Sequence, residues 1–316
     1  MQRVESAEPT PPAAAPSATA PPAATSSATA PPAVGLPGTD PTGARFEALV
    51  ELLRGRRFVA LTGAGCSTES GIPDYRGQGV PRRPRQPIQG PEFRRSPSLR
   101  RRYWARAMEG WGRFQAAPPN AGHLSLARLE ATGKLAGIVT QNVDRLHHAA
   151  GSRRVVELHG ALAEVVCLGC GALEPRSSVQ ARLIALNPGF HEPSAEMAPD
   201  GDAELPAERL ERFRQADCLV CEGALMPRVV FFGDNVPKAV VDDAFALVDE
   251  AEVLLVAGSS LAVFSGYRFL LHAKKRGTPV AIVNLGPVRG EEHAAVKIEG
   301  PTGEVLPRLA EALGAG

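Results

Sequence analysis

Short apolar runs that alternate with amphipathic stretches dominate the chain from residue 44 onward. Strand-like runs occur in RFVALTGAG, KLAGIVTQNVD, VVELHG, PRVVFFGD, AEVLLVAGSSL and TPVAIVNLG. Helical spacing of apolar residues occurs in ARFEALVELLRG, RRYWARAMEGWGRF, NAGHLSLARLEATGK, VVDDAFALVDE and FSGYRFLLHAKKRG. Apolar strands separated by helices are typical of a parallel sheet that is covered on both faces. The pattern therefore predicts an α/β fold.

The segment 1–43 differs from the rest because it consists almost entirely of Ala, Pro, Ser and Thr. It lacks the large apolar side chains that would offset the entropy of ordering, so we expect a disordered, solubilising tail. It also has neither the basic start and apolar core of a secretory signal nor the many arginines of an organelle signal. We predict one domain over 44–316. Within it, a Rossmann-like part (44–76, 137–160 and 224–316) encloses a smaller helical and metal-binding module (77–136 and 161–223).

Bulk charge and hydropathy disfavour two classes of partner. The formal net charge is +1, so we expect no direct binding of nucleic acid. No run of about 18 apolar residues occurs, so we expect no membrane span. The Ala-, Pro- and Arg-rich composition is typical of a GC-rich bacterial genome, which favours the cytoplasm, with an organelle matrix as the alternative. Composition leaves the oligomeric state open, with a monomer as one option.

Four of the five cysteines form two C-x-x-C pairs, Cys167 with Cys170 and Cys218 with Cys221. Each pair adjoins a glycine, as zinc knuckles often do, and four thiolates complete a tetrahedral Zn²⁺ site with no open position. Without a secretory signal, this pattern favours one structural zinc ion per chain over disulfides. Two redox pairs are the alternative, although redox C-x-x-C motifs usually open a helix. The long spacer contains GDAELPAERLERFRQ, which we predict to be helical.

A glycine turn follows the first predicted strand. Gly63 and Gly65 let the backbone approach a ligand closely, and their place after a strand suits a dinucleotide pyrophosphate. Thr68 stands where the G-x-G-x-x-G fingerprint has its third glycine, and no obvious acidic residue ends a second strand about 20 residues further on. These departures disfavour a dehydrogenase. A tight corner without a ligand is the alternative.

Polar residues also follow other predicted strands, where α/β proteins place their ligand-binding groups. Gln141, Asn142 and Asp144 are candidate ligand-binding groups, and His159 is a candidate general base near neutral pH. A surface histidine in a turn is the alternative for His159. Candidates for ribose and adenine contacts are Ser259, Ser260, Asn284 and Gly286. Helix capping is the alternative for the two serines.

A run of arginines lies between residues 82 and 102. Its members are Arg82, Arg83, Arg85, Arg94, Arg95, Arg100, Arg101 and Arg102. Such a run is usually a solvated basic loop, which is the interpretation we favour. Recruitment of an acidic partner or acyl group by these guanidinium groups is the alternative.

Taken together, the motifs resemble the sirtuins, the NAD-dependent protein deacylases. The matching segments, in the family's order, are GAGCSTESGIPDYR, TQNVDRLHHAAG, ELHG, the paired C-x-x-C, PRVVFFGDNVP, GSSLAVFSGYRF and NLGP, spanning about residues 45–310. IPDYR, YWAR, VVFFGD and the long cysteine spacer are similar to the class II branch. The resemblance implies a Rossmann-type domain and a small zinc domain, with NAD and an acyl-lysine peptide meeting in the cleft.

The resemblance also implies roles for individual residues. His159 would be the general base, with Asn142 and Asp144 beside it at the nicotinamide ribose. Tyr103 and Arg106 have the Y-x-x-R spacing of sirtuins that remove acidic acyl groups. The implied acyl-peptide groove contains Val230, Phe231, Phe232 and Gly233. The implied NAD contacts are Gly63, Ala64, Gly65, Ser67, Thr68, Pro73, Asp74, Tyr75, Arg76, Gln141, Asn142, Val143, Asp144, Gly258, Ser259, Ser260, Asn284, Leu285, Gly286 and Thr302.

The implied reaction consumes NAD rather than reducing it. The acyl-lysine carbonyl oxygen attacks the anomeric carbon as nicotinamide leaves, and His159 deprotonates a ribose hydroxyl. The products are free lysine, nicotinamide and O-acyl-ADP-ribose. Two alternatives stay open: a protein ADP-ribosyltransferase on the same scaffold, and an NAD- and zinc-binding regulator without turnover. Cys66 stands where the family usually has an aliphatic residue, and we expect a small apolar wall residue beside the cofactor.

Overall fold

A computed structural model of the chain describes residues 41–74, 88–190, 205 and 207–315. Its helices are α1 (Pro41–Leu53), α2 (Gly90–Arg95), α3 (Pro97–Ala116), α4 (Ala121–Ala131), α5 (Leu146–Ala149), α6 (Arg176–Leu186), α7 (Ala207–Arg212), α8 (Lys238–Asp249), α9 (Phe264–Arg276) and α10 (Thr302–Ala312). Its strands are β1 (Phe58–Thr62), β2 (Leu135–Thr140), β3 (Val155–Glu157), β4 (Gly160–Cys167), β5 (Leu173–Pro175), β6 (Leu225–Val229), β7 (Val253–Ala257), β8 (Val280–Val283) and β9 (Val296–Ile298). No described helix is both long enough and apolar enough to cross a bilayer.

Six strands form a parallel sheet in the order β3-β2-β1-β7-β8-β9. This order reverses direction between β1 and β7, as in a Rossmann-type sheet. Every residue of β1, β7 and β8 is buried. Strands covered on both faces are apolar throughout rather than alternating, which is why the sequence runs were continuous. The predicted parallel α/β sheet is confirmed.

Two apolar layers cover the faces of this sheet. On one face, Leu49 of α1, Leu126 of α4 and Leu309 of α10 pack against the strands. On the other face, Leu247 of α8 and Phe269 of α9 do the same. Each of these side chains is almost completely buried, and burial of one such side chain stabilises the fold by about 1.5–3 kcal/mol. The helices therefore hold the strand ends, and the loops that follow them, in fixed positions.

A second sheet has the order β5-β4-β6 and is antiparallel. The segment PRVVFFGD was predicted as a strand of the parallel sheet, and this prediction was wrong. Its first residues belong to β6, which pairs with β4 instead. The reason is the cysteine cluster: Cys167 at the end of β4 lies opposite Leu225, so the convergence of the two C-x-x-C pairs places β6 beside β4. Trp104 of α3 and Val179 of α6 pack in the core of this module.

Several other predictions need adjustment. α1 begins at Pro41, so residues 41–43 belong to a helix and not to the predicted tail. The arginines from 94 onward lie on α2 and α3 rather than in a loop, and Arg100 donates to the carbonyl oxygens of Phe93 (2.9 Å) and Arg94 (2.8 Å). The predicted helix in the cysteine spacer is present as the short α7. The rest of the tail and Arg82, Arg83 and Arg85 lie outside the described residues, and the domain boundaries stay predictions.

The loops after β1 and β7 touch backbone to backbone. The amide of Gly65 donates to the carbonyl of Gly258 at 2.9 Å, and the amide of Gly63 donates to the carbonyl of Ala257 at 3.3 Å. Gly258 has a φ of 63°, in the left-handed region, and a Cβ built on it would lie 2.3 Å from the backbone nitrogen of Cys66. Only glycine satisfies both the conformation and the spacing at position 258.

We predict that Gly258→Ala lowers the free energy of unfolding by about 2–5 kcal/mol, because left-handed strain and overpacking add. Gly277→Ala is the matched control, since Gly277 also has a positive φ (70°) but has no atom within 4 Å of the added Cβ. The control should lose only about 1–2 kcal/mol, from strain alone. Denaturant unfolding of both variants measures the difference, and equal losses would contradict the contact argument.

Candidate functional site

The carboxyl ends of β1, β2, β7 and β8 meet at one edge of the parallel sheet, as ligand-binding loops do in α/β folds. The β1 loop forms two single-turn 3₁₀ helices, Ala64–Cys66 and Thr68–Ser70. Within this loop the amide of Ala64 makes no hydrogen bond with the described residues. A free amide in a tight glycine turn is suited to an anionic group such as a pyrophosphate.

Three polar side chains from two loops form one hydrogen-bonded group. Asn142 is buried, and its Nδ2 donates to the carbonyl of Gly63 (3.0 Å) and to Ser67 Oγ (3.1 Å). Ser67 Oγ donates to Asp144 Oδ2 at 2.7 Å. Burial raises the pKa of Asp144, while hydrogen bonds from the Leu146 amide and from Ser67 oppose that rise. The group therefore presents a partly desolvated carboxyl beside the glycine turn.

His159 is held at both ring nitrogens. Nδ1 lies 2.8 Å from the carbonyl oxygen of Gln141, and Nε2 lies 2.8 Å from Ser265 Oγ. A carbonyl only accepts, so Nδ1 carries the proton and the lone pair of Nε2 accepts from the serine hydroxyl. Burial lowers the pKa of His159, the charge of nearby Arg268 lowers it further, and the Gln141 carbonyl opposes both. His159 is thus a neutral base at neutral pH and not a free surface histidine.

The β7 and β8 loops contribute smaller polar groups. Ser259 Oγ accepts from Gln141 Nε2 (2.7 Å) and from the Leu261 amide (3.2 Å). α9 begins only at Phe264, so neither predicted serine caps it, and the capping alternative is wrong. Asn284 is buried, and its Nδ2 donates to the carbonyl of Leu285 at 2.8 Å. The Gln141–Ser259 bond therefore joins the loops of β2 and β7, whose strands are separated by β1 in the sheet.

The segment predicted to bind the acyl-peptide runs beside His159. The amide of Val230 donates to the His159 carbonyl at 2.9 Å, and Phe232, 44% exposed, follows it. Phe231 instead packs against Tyr103, with ring centroids 6.0 Å apart. Tyr103 is only 5% exposed and lies in the core of the small module, and Arg106 is half-buried. Burial of Tyr103 weighs against its predicted contact with an acidic acyl group.

The other predicted cofactor-binding residues differ in how exposed their side chains are. Thr68 is exposed, and Thr302 is the buried first residue of α10. Pro73 and Asp74 are half-buried at the end of a described segment, while Tyr75 and Arg76 lie outside the described residues.

Sequence reasoning missed two residues near His159, namely Ser265 and Arg268. Ser265 lies in the segment GSSLAVFSGYRF, but only the fold brings the start of α9 to the imidazole. Arg268 follows one turn later on the same helix, and its charge contributes to the lowered pKa of His159. The only sequence signal was the position of both residues in a motif that follows a strand end.

The four predicted zinc ligands form one cluster. Cys167 Sγ lies 3.5 Å from Cys221 Sγ, Cys170 Sγ lies 3.7 Å from Cys218 Sγ, and all four sulfurs lie within 4.8 Å of one another. The amides of Gly169 and Val220 point at Cys167 and Cys218 at 3.3 Å and 3.4 Å. Neither pair opens a helix, which disfavours the redox alternative. Four converging sulfurs with amide donors fit one structural Zn²⁺ ion.

Known proteins resemble the chain over most of its length. The profile described as Sir2 family matches residues 63–265. The chain is 52% identical over 270 residues to NAD-dependent protein deacetylase 1 of Mycobacterium avium (strain 104), and the matched region covers 84% of this chain and 94% of the relative. It is 48% identical over 257 residues to human NAD-dependent protein lipoamidase sirtuin-4, mitochondrial, and the matched region covers 80% of this chain and 82% of the relative.

Solved structures agree with this result. A structure described as "Sir2-p53 peptide-NAD+" has a TM-score of 0.68 to this chain at 30% sequence identity, covering 86% of this chain and 99% of that chain. The family profile spans more than half of the chain, and the Mycobacterium relative is alike over nearly its whole length. The resemblance read from the motifs is confirmed: the chain belongs to the Sir2, or sirtuin, family.

Proposed function

We propose that this chain is an NAD-dependent protein-lysine deacylase that releases nicotinamide, O-acyl-ADP-ribose and free lysine. The observation that carries this proposal is the neutral His159, whose Nδ1–H is fixed by Gln141 and whose Nε2 lone pair faces the start of α9. Relatives named as deacetylases and a Sir2 structure named for its peptide and NAD+ support the same activity. The substrates are then acylated lysine side chains of proteins.

The residues at the strand ends fit NAD. The free amide of Ala64 suits the pyrophosphate, and the group formed by Ser67, Asn142 and Asp144 suits a ribose and a carboxamide. Bound NAD supplies an electrophilic sugar carbon with nicotinamide as its leaving group. A carboxylate at this place favours positive charge that develops nearby. Because Asp144 and Asn142 are already hydrogen-bonded, they need little reorganisation during the reaction.

His159 is suited to take one proton. Its Nδ1–H is bonded to Gln141, so Nε2 is the nitrogen that accepts a proton from a sugar hydroxyl. After that transfer the imidazolium keeps its Nδ1–H bond to the Gln141 carbonyl, which stabilises the charge. Ser265 occupies the hydrogen-bonding place at Nε2 when no substrate hydroxyl is there. We infer that Ser265 is a positioning residue for the imidazole.

Two exposed aromatic side chains in segments that contact His159 favour an uncharged acyl chain. Phe232 and Phe264 are 44% and 57% exposed, and they lie next to Gly233 and Ser265 in the chain. Tyr103, the candidate for an acidic acyl group, is packed in the small module's core. Relatives bear the names deacetylase and lipoamidase, so acyl chains from acetyl to lipoyl are the candidates.

We place the protein in the cytoplasm of a bacterium, on composition alone.

A panel of acyl-peptides incubated with NAD and the full chain tests the proposal. Mass spectrometry should detect O-acyl-ADP-ribose and free lysine, with apolar acyl groups turned over faster than acidic ones. ADP-ribose attached to protein without loss of the acyl group would indicate the ADP-ribosyltransferase alternative. Absence of nicotinamide release with every peptide would indicate a regulator without turnover.

We predict that His159→Ala lowers kcat/KM by about 10²–10⁴, the usual contribution of a general base. The fold should persist, because the imidazole is half-buried and lies at a loop. His148→Ala is the matched control, since His148 is exposed. Steady-state kinetics with circular dichroism and metal content checks this, and a kcat/KM that matches the control would refute the base assignment.

We predict that Ser265→Ala moves the acidic limb of the kcat/KM pH profile to higher pH. The hydroxyl donates to neutral Nε2 and so favours the neutral form; its loss lets the pKa of His159 rise toward its usual value. A hydrogen bond that contributes about 0.5–1.5 kcal/mol corresponds to about 0.4–1 pH unit. Activity above that limb, where His159 is neutral in both proteins, should change less. Ser265→Thr should restore the limb, whereas an unmoved limb in Ser265→Ala would contradict the contact.

We predict that Cys170→Ser reduces the zinc content from one ion per chain to nearly none and destabilises the β5-β4-β6 sheet, because a structural zinc contributes folding free energy directly. Leu168→Ala, a partly exposed change in the same knuckle, is the control and should keep the zinc. Metal analysis by mass spectrometry and thermal unfolding measure both effects. Full zinc in Cys170→Ser would contradict the four-cysteine site.

A further inference from the structure

Three buried side chains behind the β1 loop have no part in the proposed reaction. Cys66 comes from this loop, His123 from α4 and His147 from α5, and one donor atom of each lies within 4.8 Å of the other two. The two imidazole rings meet edge to face, with centroids 4.8 Å apart. A sulfur and two imidazole nitrogens are the ligands that Zn²⁺ and similar ions prefer. No residue is shared with the four-cysteine cluster.

His147 has a lone pair without a partner. Thr62 Oγ1 donates to Thr140 Oγ1 at 2.8 Å, so Thr62 Oγ1 accepts from His147 Nε2–H, also at 2.8 Å. The lone pair of His147 is therefore on Nδ1. Nδ1 is buried and has no hydrogen-bond partner among the described residues, and the whole side chain is 1% exposed. A buried acceptor left unpaired costs about 1–3 kcal/mol, a cost that a bound cation would remove.

The surroundings of Cys66 suit metal binding better than oxidation of its thiol. Burial raises the pKa of its thiol to about 12, only partly opposed by the nearby Thr302 hydroxyl, so the free protein holds an unreactive thiol. The charges of Asp144 and Glu69 also act on this thiol, and these carboxylates would favour a cation there. A coordinating cation deprotonates a thiol outright. Thr302 Oγ1 is a second buried polar atom at this cluster, and its neighbour there is the Cys66 thiol.

His123 is held by weak hydrogen bonds. Its Nδ1 accepts from the Asn120 amide at 3.3 Å, and its Nε2 lies 3.4 Å from Ser67 Oγ. Both distances are long, so exchanging one of these bonds for a metal bond costs little. Burial lowers the pKa of His123 to about 4 and that of His147 well below its usual value. Both rings are therefore neutral at pH 7, which is the form that binds metal.

We propose that Cys66, His123 and His147 form a second metal site, for a zinc-like divalent cation, whose occupation restrains the β1 loop. A bound ion would link Cys66 of the β1 loop to His123 of α4 and His147 of α5, and so tie the loop to both helices. Ser67, the next residue, donates to Asp144 and accepts from Asn142. A tether at Cys66 limits how Ser67 can adjust those bonds when the cofactor binds, and the ion therefore inhibits. This inhibition rests on the proposed function, whereas the binding does not.

Cobalt titration of the full chain, with zinc already in the four-cysteine site, tests the binding. Co²⁺ adopts the same ligands as Zn²⁺ but binds more weakly, so it should not displace the structural zinc. Cys66 is the one cysteine outside that cluster, so a thiolate-to-cobalt absorption band reports on it alone. One further equivalent with this band is expected for the wild type, and the band should vanish in Cys66→Ala. No band in the wild type, or a band that persists in Cys66→Ala, would overturn the site.

A pair of neighbouring histidines supplies the second test. His147→Asn should weaken cobalt binding at least tenfold, whereas His148→Asn, at an exposed position, should not. Equal affinity in the two variants would remove His147 from the site. Excess Zn²⁺ should slow turnover of the wild type, and Cys66→Ala should be resistant relative to its own rate without added zinc. Cobalt binding without inhibition by Zn²⁺ would contradict the restraint of the loop but not the metal site itself. Equal inhibition of the wild type and Cys66→Ala would also contradict the restraint.

Discussion

The site depends on the contact between the loops that follow β1 and β7. These loops meet backbone to backbone, with the Gly65 amide on the Gly258 carbonyl at 2.9 Å. No side chain fits between them, so Cys66 and Ser67 are brought over the adjacent strand end of β2. Ser67 then reaches Asn142 and Asp144. The hydrogen-bonded group that we assign to NAD is thus a consequence of how closely two strand ends approach.

The His159 imidazole is fixed instead by hydrogen bonds at its two ring nitrogens. Gln141 directs the proton of His159 through its backbone carbonyl, while its side chain reaches Ser259. One residue therefore sets the tautomer of the base and links two loops. Ser265 completes the arrangement from the start of α9, so two separate elements converge on a ring that the sequence alone places in a short turn.

The sequence predicted the features that depend on local pattern. Continuous apolar runs identified the parallel strands, and the C-x-x-C spacing identified the sulfur cluster. It failed for β6, because a strand buried beside α3 and one buried in a parallel sheet have similar compositions. It also failed for Ser265, His123 and His147, whose partners are far away along the chain, and Tyr103 was misjudged because spacing carries no information about burial. Motif resemblance supplied roles for residues that periodicity could not assign.

The strand β6 has a further consequence. It begins four residues after the last zinc-binding cysteine, pairs with β4, and ends one residue before Val230, whose amide holds the carbonyl of His159. A slip of β6 by one position would reverse which of its side chains face inward and would misalign that amide. Because Cys167 lies opposite Leu225 in this pairing, the sulfur cluster clamps one end of the ladder. The zinc cluster thus fixes the register of β6, and with it the position of the Val230 amide beside His159.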